Sequence, residues 1–251
     1  STAFSKTYNY IKPIYIDAFA GPGRHISKSS GEEVLGSPQI ALNIKPPFTE
    51  FYFIDTNGDK VDELNRIVAS RPEVHVINDD CNKALLERVF PKVLYEDYKR
   101  ALCLLDPYGL SLNWSIIQEA GVMKTIEIVL NFPVMDMNRN VFWTNPERVD
   151  TTDINRMNLF WGDESWRQAA YSSIPNLFGE LVARKEPNHV IANAFKQRLL
   201  TKAGFKYVPD PLPLRNSRGS IVYYLFFASQ NSTGKDIIES IFASYRNKGI
   251  K

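Results

Sequence analysis

The stretch Tyr15-Ile-Asp-Ala-Phe-Ala-Gly-Pro-Gly23 constrains this chain most, because an apolar strand pattern runs straight into a Gly-x-Gly turn. Closely spaced glycines at a strand end let backbone approach a ligand that a Cβ would push away, at the carboxyl edge of a parallel sheet. The same pattern without a ligand is only a strand-ending turn, so its weight comes from the three strand patterns C-terminal to it. Phe51-Tyr-Phe-Ile-Asp55 reads as a second strand closing on a carboxylate, Val74-His-Val-Ile-Asn-Asp-Asp80 as a third, and Ala101-Leu-Cys-Leu-Leu-Asp-Pro-Tyr-Gly109 as a fourth.

Between these strands the pattern is helical. Gly36-Ser37-Pro38 opens a helix, with Ser37 as N-cap and Pro38 as the first helical residue. Further helices are expected over about 58–69, where Val61, Leu64, Ile67 and Val68 share a face, and over 82–89 and 113–120; a fifth strand covers 125–131. Near-continuous apolar strands alternating with amphipathic helices predict an α/β fold with a parallel sheet covered on both faces. The rhythm then breaks. Residues 132 to about 190 carry Trp143, Phe160, Trp161, Trp166 and Tyr171 among charged residues and read as an inserted helical lobe. A helix over 188–203, strands over 204–208 and 220–228 joined by a Pro-rich turn, and a last helix over 235–247 complete the expectation. The two late strands form an antiparallel hairpin closing one sheet edge.

At 251 residues the chain suffices for one large domain with an insertion. A net charge of +2 with 23% charged residues does not force a nucleic-acid reading, although a basic face can hide beneath a balanced total. Cys81 and Cys103 make no C-x-x-C pair, and three scattered histidines offer no metal cluster, so no metal is expected and a reducing cytoplasm fits. No apolar run approaches the roughly 18–20 residues that span a bilayer, so no membrane partner is expected. The opening Ser1-Thr-Ala-Phe4 reads as neither a signal peptide nor an initiator methionine.

Five strand-helix units, a helix, a Gly-Phe strand and a long aromatic last strand resemble the class I S-adenosylmethionine-dependent methyltransferase fold, a Rossmann-like, mostly parallel sheet with an antiparallel last strand. Several stretches resemble the three-Cys-motif partner protein family more narrowly: Asp17-Ala-Phe-Ala-Gly-Pro-Gly23, Gly36-Ser-Pro38, Asp80-Cys-Asn82, Asp106-Pro-Tyr-Gly109, Leu130-Asn-Phe132, Phe160-Trp-Gly-x-x-x-Trp166 and Tyr223-Tyr-Leu-Phe-Phe-Ala-Ser229. The resemblance runs from Ile14 across nearly the whole chain. It implies S-adenosyl-L-methionine as cofactor and a protein with a three-cysteine motif as partner.

On that resemblance the turn holding Phe19, Gly21 and Gly23 lies under the methionine part of the cofactor, and Asp17 accepts from its ammonium, directly or through water. Asp55 takes the ribose hydroxyls, or caps the next helix, or both. Asp80 reads the adenine amino group with the backbone N–H of Cys81; Asp79 competes, and either also suits a helix cap. Residues 24–35, between the glycine turn and Ser37, form a flap over the cofactor. The chemistry falls to Asp106, Pro107 and Tyr108: a carboxylate and a proline carbonyl orient an acceptor amine while the aromatic ring stacks. Compared with amino-methyltransferases acting on nucleobases, the second proline is absent, and a strand-terminating Asp-Pro turn explains the same residues. Trp143, Trp161 and Trp166, with Arg139, Arg148, Arg156 and Arg167, read either as a nucleic-acid face or as the core of a helical lobe. Lys206, Arg215 and Arg218 extend a basic rim or are simply solvated. Two functions are compatible with these residues: a methyltransferase acting on nucleic acid or a nucleotide-like substrate, or a cofactor-binding scaffold for the three-cysteine partner.

Overall fold

The computed structural model describes residues 10–26, 31–175 and 178–248. The chain is an α/β protein with a seven-stranded, mostly parallel sheet, and its contacts divide it into two compact units. The first comprises residues up to Asp106 together with Met123–Ile128, and the second Pro107–Val122 and the residues from Val129 onward.

In the first unit β1 (Lys12–Asp17) pairs in parallel with β4 (Glu50–Asp55) on one side and with β6 (Lys99–Leu105) on the other, and β4 pairs in parallel with β5 (Val74–Asn78). Parallel pairing requires crossovers. Helices α1 (Ser37–Leu42) and α2 (Gly58–Val68) and the short α3 (Cys81–Ala84) fall between these strands. The expected helix over 82–89 is instead α3 followed by a π-helical turn, Leu85–Val89, and a 3₁₀ turn, Phe90–Lys92. The second and third strand patterns correspond to β4 and β5, with β4 starting one residue earlier, at Glu50, and β5 ending at Asn78, before Asp79 and Asp80. Tyr15, Phe51 and Phe53 pack against Leu64 and Val68 of α2 and Ala41 of α1, and Ile67 joins them half-buried. An i, i+3, i+4 apolar face on α2 thereby closes one side of the sheet.

The expected flap, residues 24–35, contains a small antiparallel hairpin of β2 (Arg24–Ile26) and β3 (Glu33–Leu35); residues 27–30 lie outside the described residues. Arg24 Nε sits 3.2 Å from Glu63 Oε1, tying the hairpin to α2.

The second unit is built on aromatics. Phe195 of α8 (Asn188–Thr201) meets Phe132 at 4.7 Å, Phe226 and Trp161 at 5.4 Å, and Phe160 and Trp114 at 5.9 Å, ring centre to ring centre. Trp114 opens α4 (Trp114–Met123) and Phe132 closes β7 (Ile126–Phe132). Phe160 and Trp161 end α6 (Thr151–Trp161), and Phe226 lies in β11 (Ile221–Ala228). Three of the family-like stretches, those holding Phe132, Phe160 and Phe226, therefore supply core.

Two expectations fail here. The lobe after β7 contains α5 (Val134–Asn140), α6 and α7 (Trp166–Ala170), but also a hairpin, β8 (Tyr171–Pro175) with β9 (Leu181–Lys185), where only helices and loops were expected. The strand preceding the last is β10 (Leu212–Arg215), not residues 204–208, which make a single bridge, Tyr207 to Ser229. Pro213 makes this segment read as a turn, yet β10 is terminal in the sheet, where proline is tolerated. β10 pairs antiparallel with β11, as expected of the late hairpin, and α9 (Ser232–Lys248) comes after it. The sheet order is β5-β4-β1-β6-β7-β11-β10. Among the described residues no helix is long and apolar enough to cross a membrane.

Candidate functional site

In the first unit the strand order β6-β1-β4-β5 brings four aspartates to neighbouring positions along one edge: Asp106 after β6, Asp17 at the end of β1, Asp55 at the end of β4 and Asp80 after β5. Parallel pairing makes this the carboxyl edge, where ligands of open α/β sheets bind.

The glycine turn is fastened to this edge by Asp55. Its Oδ2 accepts the N–H of Gly21 at 2.9 Å and its Oδ1 the N–H of Asn57 at 2.8 Å, while Asn78 Nδ2 bonds the Asp55 carbonyl at 3.1 Å. Asp55 is buried, with Lys60 Nζ 4.0 Å away. It is not the helix cap: Asn57 caps α2, accepting the N–H of Lys60. Gly21 holds a left-handed backbone, φ +63, and among the described residues a Cβ built there would meet nothing within 4 Å. The backbone of the turn thus borders open space of the kind a cofactor needs. Gly23 plays a different part. It is buried, its carbonyl accepts the N–H of Gly36 at 2.7 Å, and a Cβ there would press on Leu64. It seats the turn on α2.

Asp17 is fully buried. Its Oδ2 accepts from the Ser37 hydroxyl at 2.6 Å and its Oδ1 from the N–H of Phe19 at 3.3 Å. Burial raises its pKa to about 6, the bonds from Ser37 and Phe19 pull the other way, and the charge of Asp106 pushes it higher. Tyr15, below it on β1, is itself pushed up, mostly by burial. Both Asp17 oxygens are engaged by protein groups, which fixes the path from β1 into the turn. Ser37 was expected as the N-cap of α1. Gly36 holds that position instead, and the Ser37 hydroxyl is given to Asp17.

Asp80 is exposed and caps α3, its Oδ1 accepting the N–H groups of Asn82 at 2.9 Å and Lys83 at 3.3 Å. Its competitor Asp79 accepts the N–H of Asp80 at 2.9 Å and faces Lys83 at 3.7 Å and Arg88 at 3.6 Å. Cys81 is buried, and burial together with the charge of Asp80 raises its thiol to about 12, so the sulfur is an inert neighbour. Cys103 is likewise buried with a strongly raised pKa.

Asp106 is exposed. The residues after it open the second unit: Pro107 is buried and the Tyr108 ring is 69% exposed. Gly109 comes next with φ +58, and a Cβ there would come within 2.6 Å of Asp136 Oδ2, so only glycine admits that carboxylate beside the turn. In the lobe, Trp161 and Trp166 are buried, their indole N–H groups donating to Ser165 Oγ at 3.0 Å and Asn158 Oδ1 at 2.7 Å. They are core, not a stacking face. Trp143 alone of the three is exposed, at 42%. Arg156 pairs with Asp153 at 3.0 Å and Arg167 lies 4.5 Å over the Trp166 ring, leaving Arg139 and Arg148 as the exposed arginines of that group.

Ser37 and Asn57 carry site roles that local sequence did not assign, because their partners lie across the fold or compete with an adjacent carboxylate. Two clefts of about 350 and 390 Å³ run beside α8, β10, β11 and α9 and share Asp210, but no residue assigned to cofactor or chemistry lines them. Among the described residues there is no cluster of three or more side chains suited to a metal ion.

No protein-family model matches this chain, and no curated protein matches it. Among solved structures it is similar to a Legionella pneumophila protein (TM-score 0.49, 12% identity, 90% of this chain and 80% of the other). It is similar also to a Leishmania major S-adenosylmethionine-dependent methyltransferase (TM-score 0.42, 12% identity, 90% and 68%) and to the methyltransferase domain of bacterial CtHen1 (TM-score 0.40, 10% identity, 91% and 94%).

Proposed function

We propose that this chain is an S-adenosylmethionine-dependent methyltransferase of the three-Cys-motif partner type, acting in the cytoplasm on nucleic acid or a nucleotide-like substrate. The observation that carries the reading is the closure of Gly21 onto Asp55, which holds an unobstructed left-handed turn at the carboxyl end of adjacent parallel strands. The charge of the edge adds to it. Four carboxylates with Lys60 near one of them disfavour a ligand that presents phosphates and suit one carrying an ammonium and a sulfonium beside neutral ribose hydroxyls.

In this reading the turn of Phe19, Gly21 and Gly23 lies along the methionine part, with Asp17 holding the turn in place. Asp55 uses remaining lone pairs for the ribose, and Asp80 with the Cys81 N–H takes the adenine. When bound, the cofactor supplies an electrophilic methyl group. Asp106 and the Pro107 carbonyl orient the acceptor amine so that its lone pair points at the incoming carbon, and the exposed Tyr108 ring offers a stacking face. The 132–190 lobe serves substrate or partner.

The missing second proline and the outward Tyr108 ring favour one alternative, a cofactor-binding scaffold for the three-cysteine protein. Supplying labelled cofactor with total cellular nucleic acid and separately with protein extract distinguishes them. Label is expected in nucleic acid, falling about 10-fold or more in Asp106→Ala with cofactor affinity kept. Label in protein overturns the substrate class. No label in either fraction, with the three-cysteine partner present and cofactor bound, favours the scaffold.

A further inference from the structure

At the opposite, amino edge of the same parallel strands, two residues hold a conformation their side chains disfavour. Tyr98 and Lys124, each at φ +60, are the non-glycine residues with positive φ among the described residues. Such a conformation costs an L-residue roughly 1–2 kcal/mol that glycine would not incur. Neither side chain recovers it in a core, since both are exposed. The two positions belong to one surface. The Tyr98 carbonyl accepts the N–H of Lys12 at 2.9 Å, at the start of β1, and its N–H bonds the Tyr95 carbonyl at 3.0 Å. Thr125, next to Lys124, bonds the Val93 carbonyl through its hydroxyl at 2.7 Å and accepts the N–H of Ala101 at 2.8 Å.

Around them lies an aromatic and cationic patch. Tyr10, Tyr95 and Tyr98 are 66%, 67% and 58% exposed, which makes them a surface rather than packing. The rings of Tyr10 and Tyr98 stand 6.2 Å apart, and the Arg100 guanidinium lies 4.1 Å over Tyr95. Lys99 and Glu50 pair at 3.1 Å and cancel, leaving Lys12, Lys92, Arg100 and Lys124 against Glu96 and Asp97, a local positive excess.

We propose that this edge binds single-stranded nucleic acid, with bases stacking on Tyr10, Tyr95 and Tyr98 and phosphates neutralised by Lys12, Arg100 and Lys124. Stacking on tyrosine tolerates any base but needs an unpaired face, which a duplex hides. The proposal does not depend on methyl transfer, because the patch lies a strand's length, roughly 20 Å, from the carboxyl edge.

The test is fluorescence anisotropy with a labelled oligouridylate of about 12 nucleotides and a duplex of the same length. The wild type is expected to bind the single strand, more weakly as salt rises, and to bind the duplex poorly. Tyr95→Ala and Tyr98→Gly are each expected to weaken binding about 10-fold or more. Because Tyr98→Gly relieves the backbone, it should not lower the unfolding temperature, so its loss of binding reads the ring and not the fold. Lys124→Gly should reduce the salt slope by about one. Absence of binding by the wild type, equal affinity for the duplex, or unchanged affinity in both tyrosine variants overturns the proposal.

Discussion

The N–H of Gly21 donates to Oδ2 of Asp55 at 2.9 Å, tying the turn after β1 to the end of β4 across 34 residues of chain. The other oxygen of the same carboxylate holds Asn57 at 2.8 Å, so one buried side chain sets both the turn and the entry to α2. Removing it in Asp55→Ala leaves two backbone donors without their acceptor. The expected cost is about 1–3 kcal/mol in urea unfolding, with cofactor affinity reduced about 10-fold or more by calorimetry. Unchanged affinity would remove Asp55 from the site.

Asp17 makes stability fall as pH rises. Its folded pKa of about 6 lies above its ordinary value of 3.8, so between these the folded chain binds more protons than the unfolded one. Its contribution therefore worsens as pH rises from about 4 to 6 and is flat above, reaching on the order of 3 kcal/mol. In Asp17→Asn the amide oxygen can still accept from Phe19, and the Ser37 hydroxyl can turn to accept from the amide nitrogen. The variant is expected to gain on the wild type as pH rises from 4.5 to 7.5 in parallel denaturant titrations. A stability difference that does not change with pH would refute the buried, raised carboxyl.

Residues 24–26 and 33–35 are expected to order further when product cofactor binds, since the hairpin lies between the glycine turn and α1 and the ion pair between it and α2, Arg24 to Glu63, is exposed. Hydrogen exchange with and without S-adenosylhomocysteine reads this directly. Equal protection in the two states would count against a flap.

The parallel half of the fold was legible because its strands are buried on both faces: Phe51–Ile54 is a continuous apolar run ending on Asp55, and no other element type fits it. The site was legible only as positions. That Asp17 faces Ser37 rather than solvent depends on a contact across 20 residues, and nothing in Gly36-Ser-Pro38 signals that the hydroxyl leaves the cap. The late strand differs from its sequence pattern because Phe205 and Val208 bury their side chains as strand residues do while the ladder forms at Leu212–Arg215. Buried side chains set the apolar pattern, and hydrogen bonds set the strand; here the two parted. The β8–β9 hairpin is not legible in the sequence because Leu181 and Val182 are exposed, so no alternation of buried and exposed residues marks β9.

The claim on which the rest depends is that the backbone at Gly21 borders the cofactor. Gly219, in the loop before β11, also has positive φ and also has nothing within 4 Å of a built Cβ, so alanine at either position should cost a similar backbone strain of roughly 1–2 kcal/mol. Calorimetric titration of S-adenosylhomocysteine into the wild type, Gly21→Ala and Gly219→Ala separates strain from obstruction. Binding is expected in the wild type and in Gly219→Ala, with a loss of about 10-fold or more in Gly21→Ala alone. Equal affinity in Gly21→Ala and Gly219→Ala, or no binding by the wild type, would contradict it.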